Sequence, residues 1–226
     1  MLVGMPRCNR VDPWGDLHAV APRGLFTGNR GCVVDDQQRV VRHHGASLWI
    51  TCVTEFRDWR WPLARPRRWT PLFFLDDAVA LAAGHRPCAT CRRSDYHAYR
   101  DAVTLATGAP SPLRAWEMNA RLNAERLRRG RGFHRAADRV VWPAPFVDLP
   151  DGTVVVGERH CQLVQGDRLL PFSFEGWGRA TPRPLGGTAT VLTPPTSVAA
   201  LAHGYVPILH PSAVAEVPAT PTALHH

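Results

Sequence analysis

The sequence contains no lysine, so its 27 Lys or Arg residues are all arginines. A lysine Schiff base, a lysine general base and a phosphate-binding GK[ST] loop are therefore excluded. GxSxG and GxGxxG motifs are also absent. No apolar run reaches the roughly 18 residues that a membrane-spanning helix needs, and the first residues carry no hydrophobic signal core. We expect a cytoplasmic protein without a membrane partner.

The charge of the chain is strongly positive. Against the arginines stand 19 Asp or Glu residues, which leaves a net charge of +8 and a pI near 9.9. Guanidinium groups form bidentate contacts with phosphates, so this composition suits a nucleic-acid partner, which we expect to be DNA. A coding bias that replaces lysine by arginine throughout would give the same composition.

The composition divides the chain into four regions. Residues 1–22 hold three prolines and little periodicity, which predicts an irregular leader, and residues 213–226 predict a flexible tail. Short strands followed by helices predict a first module over residues 23–108. A further helix and antiparallel β-hairpins are predicted over 109–212 and should pack against that module. The expected fold class is α+β.

Local signals give the expected helix bounds. Asp76 can cap a short alanine-rich helix, which Gly84 ends. In the helix predicted over about 113–128, Trp116 lies on the apolar stripe that we expect to be buried. The polar stripe of this helix consists of Asn119, Asn123 and Arg126. We expect that stripe to face solvent rather than a cleft.

A Cys-x-x-Cys pair, Cys88 and Cys91, follows a Gly-x-x-Pro turn and precedes a helix. In such a turn backbone amides can point at sulfur, and two thiolates can share one tetrahedral metal ion. A thioredoxin-like redox site would carry an aromatic residue or proline between its cysteines, which here are separated by Ala89 and Thr90. The pair therefore indicates zinc in preference to redox chemistry.

The remaining zinc ligands must come from earlier in the chain. Cys52 is the best third ligand because the alternation of the strand predicted over 48–56 puts it on the more apolar, inner face. Cys32 follows a glycine-flanked turn and is the predicted fourth ligand, with His43 or His44 as alternatives. The expected cofactor is Zn²⁺, held in a closed structural site. The predicted ligand set is Cys32, Cys52, Cys88 and Cys91.

The segment 73–92 resembles a known family. It runs from Phe73-Phe74 through an alanine-rich helix to Gly84-His85-Arg86-Pro87-Cys88-Ala89-Thr90-Cys91-Arg92. This pattern is similar to the second half of the zinc domain of the Ada DNA methylphosphotriester repair proteins. The resemblance implies a four-cysteine zinc module in which one thiolate accepts a methyl group from DNA. Cys88 and Cys91 correspond to the second cysteine pair of the family. The first pair in the family is Cys-x-x-x-Cys, and in this sequence Cys52 is followed by Phe56 where the second cysteine of that pair would stand.

Three functions follow as hypotheses. The first is a nucleic-acid-associated protein with structural zinc, as in related zinc modules that transfer no methyl group. The second is a DNA repair or self-resistance protein in which Cys52 accepts an alkyl group as a zinc thiolate. The third is a deaminase-like zinc enzyme acting on a small molecule or base, whose Pro-Cys-x-x-Cys half is present. For that enzyme, Glu55 lies one position away from the required spacing after Cys52.

Two arginine-rich segments and the residues after Cys91 are candidate nucleic-acid contacts. The segment 57–69 interleaves arginine with tryptophan, and the segment 126–139 has Phe133 and His134 beside its arginines. Such segments can track phosphates and stack on bases, although solvated arginines and packed tryptophans are the simpler alternative. The predicted contacts are Arg57, Arg60, Arg65, Arg67, Arg68, Arg92, Arg93, Arg128, Arg129 and Arg131.

Overall fold

The structure, a computed structural model, describes residues 6–57, 69–127 and 138–214. Within these ranges the chain forms four α-helices and two six-stranded sheets, which confirms the α+β prediction. No helix in the described ranges is both long enough and apolar enough to cross a membrane.

The first sheet has the strand order β2-β1-β5-β3-β4-β6. Its strands are β1 (Arg10–Val11), β2 (Leu17–His18), β3 (Phe26–Asn29), β4 (Ile50–Val53), β5 (Leu72–Phe74) and β6 (Arg86–Pro87). The prediction of an irregular leader is wrong for the described part of residues 1–22, because β1 and β2 belong to this sheet and Val11 is buried. Strands of two residues are too short to show a period of two in the sequence.

The faces of β4 are the reverse of the prediction. Trp49 and Thr51 are each 1% exposed, whereas Cys52 is partly exposed and Leu48 is 40% exposed. The large Trp49 ring fills the interior, so its side of the strand is the inner one. Cys52 consequently lies on the face turned away from the core.

Helix α1 (Asp77–Ala82) follows the sequence signals closely. The Asp76 carboxylate accepts a hydrogen bond from the Val79 N–H at 3.0 Å, and Gly84 has φ +85° just beyond the helix. Helix α2 (Arg93–Thr107) likewise ends at Gly108, which has φ +65°. Glycine adopts this left-handed conformation without the steric cost that a Cβ brings.

Helix α3 (Ala115–Arg126) buries a different face from the predicted one. Trp116 is 62% exposed, and the buried residues are Met118, Leu122 and Arg126. The polar stripe is divided: Arg126 is buried, Asn119 is partly buried and accepts a hydrogen bond from Arg86, and Asn123 is exposed although it accepts one from Arg126. The predicted burial of Trp116 is therefore wrong, and the prediction of a solvent-facing stripe holds for Asn123 but is wrong for Arg126.

The second sheet has the strand order β11-β10-β9-β8-β12-β7 and contains the predicted hairpins. Its strands are β7 (Trp142–Pro145), β8 (Val154–Val156), β9 (Cys161–Gln165), β10 (Arg168–Pro171), β11 (Thr181–Pro182) and β12 (Thr188–Val191). Helix α4 (Pro195–Ala202) follows and packs against α2 and α3.

Two adjacent buried carboxylates fasten the C-terminal part of the chain to α1. Asp76 accepts hydrogen bonds from the Trp177 indole at 2.6 Å and from the His210 N–H. Asp77 accepts from the Ile208 N–H at 3.0 Å. One apolar cluster also joins residues of both sheets. It includes Ala213, the first residue of the predicted flexible tail. Residues 215–226 of that tail lie outside the described part of the chain.

Candidate metal centre

The pairing of β4 with β6 brings the three cysteines of the site together. The two strands run parallel, with Thr51 opposite Pro87, so that Cys52 and Cys88 leave the sheet side by side. The Cys88 N–H donates to the Thr51 carbonyl at 2.9 Å and holds this register. Cys91 then completes the turn that leads into α2.

The ligand sulfurs of Cys52, Cys88 and Cys91 all lie within 4.8 Å of one another. Cys88 is 8% exposed, and the other two are partly exposed. The Thr90 N–H points at the Cys88 sulfur at 3.4 Å, as the Cys-x-x-Cys spacing predicted. This cysteine cluster can bind a metal ion.

The thiols of the cysteine cluster share their protons. Hydrogen bonds from Cys52 and Cys91 lower the pKa of the Cys88 thiol well below its ordinary value. The hydrogen bond with Cys88 raises the pKa of Cys52 far above its ordinary value. Cys88 is therefore the first of the three to become a thiolate, and a thiolate is the form that binds metal.

A buried ion pair holds the cysteine turn against α1. Arg92, directly after Cys91, donates to both oxygens of Asp77 at 2.6 and 2.8 Å and to the Thr51 hydroxyl at 2.9 Å. The Arg92 and Asp77 side chains are 1% and 2% exposed. The predicted nucleic-acid contact at Arg92 is therefore wrong, because this guanidinium is enclosed and committed to Asp77.

Sequence reasoning missed the role of Asp77. A signal was present, since the helix it begins is apolar on every side, and a carboxylate in such a helix must be buried and paired. Its partner Arg92 is not adjacent in sequence, so only the structure joins them.

The structure places the other predicted ligands elsewhere. The Cys32 thiol donates to the Val34 carbonyl at 3.3 Å and does not belong to the cysteine cluster. His43 is buried, and its Nε2 lies 2.9 Å from the Gly15 carbonyl. His44 lies beside it, with 3.2 Å between their Nδ1 atoms. The structure thus brings together three of the four predicted cysteines.

Among the predicted arginine contacts, Arg57 and Arg93 are exposed and lie shortly after Cys52 and Cys91 in the chain. Trp69 is 42% exposed.

Glu55 is exposed and does not join the cysteine cluster, so the acid that a deaminase needs at the metal is not supplied by this residue. The predicted contacts outside the described residues are Arg60, Arg65, Arg67, Arg68, Arg128, Arg129 and Arg131.

Comparisons with known proteins give no match: no family model, no curated protein and no solved structure is similar to this chain. The cysteine cluster itself is therefore the feature from which a function can be argued.

Proposed function

We propose that this is a zinc-binding, nucleic-acid-associated protein whose zinc is held by Cys52, Cys88 and Cys91. The convergence of the three sulfurs within 4.8 Å carries this proposal. Tetrahedral zinc with Zn–S bonds of about 2.3 Å holds its sulfurs about 3.8 Å apart, which lies inside that limit. Three thiolates form a soft donor set, which favours zinc over calcium or magnesium.

Zinc at this position would link β4 to the start of α2. The protein already supplies the supporting contacts, since the Thr90 N–H reaches the Cys88 sulfur and Arg92 ties the turn to Asp77. Hydrogen bonds to ligand sulfur and to the ligand-bearing turn orient the donors before the metal arrives.

Metal content of purified cysteine variants tests the site. We expect about one zinc per chain in the wild type and in Cys32→Ser, and a loss of zinc in Cys52→Ser, Cys88→Ser and Cys91→Ser. Cys32→Ser is the matched control because its sulfur lies outside the cysteine cluster. Zinc-free wild type, or zinc retained by Cys52→Ser, would contradict the proposed site. Loss of zinc in Cys32→Ser would restore the four-cysteine alternative.

The nucleic-acid association is supported by charge close to the cysteine cluster. Arg57 and Arg93 are exposed, and the chain carries a net charge of +8. Each phosphate contact releases counterions, so affinity should fall steeply with salt.

Fluorescence anisotropy with a labelled DNA duplex, measured across a salt series, tests this association. Arg57→Gln and Arg93→Gln should each weaken binding and reduce the salt slope by about one. Arg39→Gln is the control, because Arg39 is exposed but its guanidinium already pairs with Asp35. Absence of binding at low salt, or equal losses in all three variants, would refute the association.

A second candidate function is alkyl transfer to Cys52. It is favoured by the count of three converging cysteines, because zinc sites that take part in chemistry keep a fourth position open. The resemblance of residues 73–92 to the Ada zinc domain points the same way. In this reaction the Cys52 thiolate would attack the methyl carbon of a phosphotriester, forming an S–C bond as the C–O bond breaks and a phosphodiester anion leaves.

Intact-mass measurement after exposure to methylated DNA separates the two functions. One added methyl group on Cys52, absent in Cys52→Ser, would support the acceptor. Zinc-loaded protein that binds DNA and gains no methyl group would reject the acceptor and leave the first proposal standing.

A further inference from the structure

Three arginines are buried around the C-terminal end of α1, far from the protein surface. Arg30, Arg126 and Arg139 are 0%, 1% and 3% exposed. Arg139 donates to the Ala82 carbonyl, and Arg126 donates to the Gly84 carbonyl at 3.1 Å. We call these three residues, together with His85, the arginine chamber.

Aromatic rings hold the arginine chamber together. The Arg126 guanidinium lies 3.8 Å from the centre of a Trp49 ring, and the Arg30 guanidinium lies 5.1 Å from it. The His85 ring is 5.1 Å from Trp49 and 4.7 Å from Phe74. Arg30, Arg126 and His85 are therefore neighbours around the Trp49 ring, although they come from separate parts of the chain. Arg139 joins them at the end of α1 through the Ala82 carbonyl.

Several buried nitrogens of the chamber have no hydrogen-bond partner. They include Nε of Arg126, Nε and Nη1 of Arg139, and both ring nitrogens of His85. Buried polar groups are nearly always paired, because leaving one unpaired sacrifices its hydrogen bonds to water. The three unpaired guanidinium nitrogens and the one N–H of the neutral His85 ring indicate a ligand that accepts hydrogen bonds.

The chamber also has an excess of positive charge. Burial lowers the pKa of Arg126 to about 9 and that of Arg139 to about 10, so both remain protonated at neutral pH. In the described part of the chain neither guanidinium forms an ion pair; their acceptors are carbonyl oxygens and the Asn123 amide. The negative charges of Asp12 and Asp16 act against this lowering of the pKa of Arg139.

Gly15 lies beside the arginine chamber, where its backbone conformation requires glycine. A Cβ on this residue would lie 3.6 Å from Nη1 of Arg30 and 3.7 Å from Nε2 of His43. Its φ of +87° also suits glycine alone.

We propose that the arginine chamber binds a small oxyanion of the phosphate or sulfate class. Guanidinium groups offer paired N–H donors whose fork matches the oxygens of a tetrahedral oxyanion, and several such forks can share one ion. The enclosure of the four side chains selects a small ion over a polynucleotide. This site is separate from the cysteine cluster and does not depend on zinc.

Thermal unfolding of the full chain with added phosphate or sulfate, against sodium chloride of equal ionic strength, tests the proposal. We expect a saturable rise of the unfolding midpoint with phosphate or sulfate, and a much smaller rise with chloride. The rise should be lost in Arg126→Gln and kept in Arg39→Gln, which removes an exposed arginine that already pairs with Asp35. Equal effects of chloride and phosphate, or equal losses in both variants, would overturn the proposal.

Two further measurements keep the test decisive if Arg126→Gln does not fold. His85→Gln keeps a neutral side chain at the chamber and should weaken the midpoint shift at least several-fold. In the second measurement, wild-type protein is dialysed against phosphate and then against phosphate-free buffer. On denaturation it should release close to one phosphate ion per chain, as measured by ion chromatography. Release of less than about a tenth of an ion, together with an unchanged shift in His85→Gln, would refute the site.

Deoxyadenosine monophosphate distinguishes a free ion from a nucleotide phosphate. A midpoint shift with inorganic phosphate but not with this nucleotide assigns a free ion. A shift with both assigns the phosphate of a nucleotide to the same chamber. No shift with either inorganic oxyanion contradicts the proposal.

Discussion

Replacing Asp77 by asparagine should destabilise the protein strongly, because it removes the negative charge from a buried ion pair. Arg92 would remain buried, and among the described residues Asp95 would be its remaining carboxylate partner. Asp77 also accepts hydrogen bonds from the Ile208 N–H and, at 3.3 Å, from the Tyr205 hydroxyl. The substitution therefore weakens the contact between α1 and the C-terminal part of the chain as well.

The expected magnitude follows from the geometry of the pair. Removing one partner of a buried ion pair costs about 3–5 kcal/mol. Asparagine keeps one acceptor oxygen for the Arg92 guanidinium, so we expect the lower end, about 3 kcal/mol. For a chain of this size the loss corresponds to roughly 6–12 °C in the unfolding midpoint.

Urea denaturation followed by tryptophan fluorescence measures this loss. Asp101→Asn is the control, because Asp101 pairs with Arg100 on α2 but its side chain is 58% exposed. The control should lose less than about 1 kcal/mol. Equal losses in the two variants would refute the reasoning that burial makes the Asp77 pair important. Measurement with and without a zinc chelator separates the ion pair from the metal.

The remaining predictions concern three other buried positions. Gly84→Ala should lower the free energy of unfolding by about 2–4 kcal/mol, because a Cβ at φ +85° would lie 2.8 Å from Cδ of Arg126. Gly108→Ala is the control, since its Cβ would meet no atom within 4 Å, and it should lower the free energy of unfolding by about 1–2 kcal/mol. Burial holds the pKa of His85 well below its ordinary 6.5, so below about pH 6.5 the unfolded chain binds a proton that the folded chain does not. Stability should therefore fall with decreasing pH, by at most about 1.4 kcal/mol per unit from this group, and urea titrations of His85→Gln should show a shallower slope. Burial raises the pKa of Cys161 to about 12, so iodoacetamide should label it only in unfolded protein; peptide mass spectrometry that finds Cys161 labelled in native protein would contradict this.

Signals confined to a few neighbouring residues were sufficient for several predictions. The cap at Asp76, the glycine end at Gly84 and the hairpins of the second sheet were all found from the sequence. A cap, a left-handed glycine and a tight turn satisfy backbone groups within a few residues, so the same local chemistry operates wherever the rest of the chain lies.

Predictions that required knowledge of facing elements failed more often. The alternation of β4 could show that two faces exist, but the side covered by the interior was decided by Trp49 and its distant neighbours. The stripe of α3 was misassigned because Arg126 looks like a surface residue in sequence. Its burial depends on the Gly84 and Ser47 carbonyls and on the Trp49 ring, which only the fold brings to it.

The candidate metal site shows the same division. The Cys-x-x-Cys spacing is enough to predict that Cys88 and Cys91 face a common point, since such a turn holds two sulfurs together through its own backbone. The fold decided that Cys52 joins them and Cys32 does not, because the register of β4 against β6 sets one cysteine beside the pair. It also decided that Arg92 pairs with Asp77 and that three arginines meet in the interior. Such contacts join residues far apart in the chain, and only the packing of the whole chain brings them together.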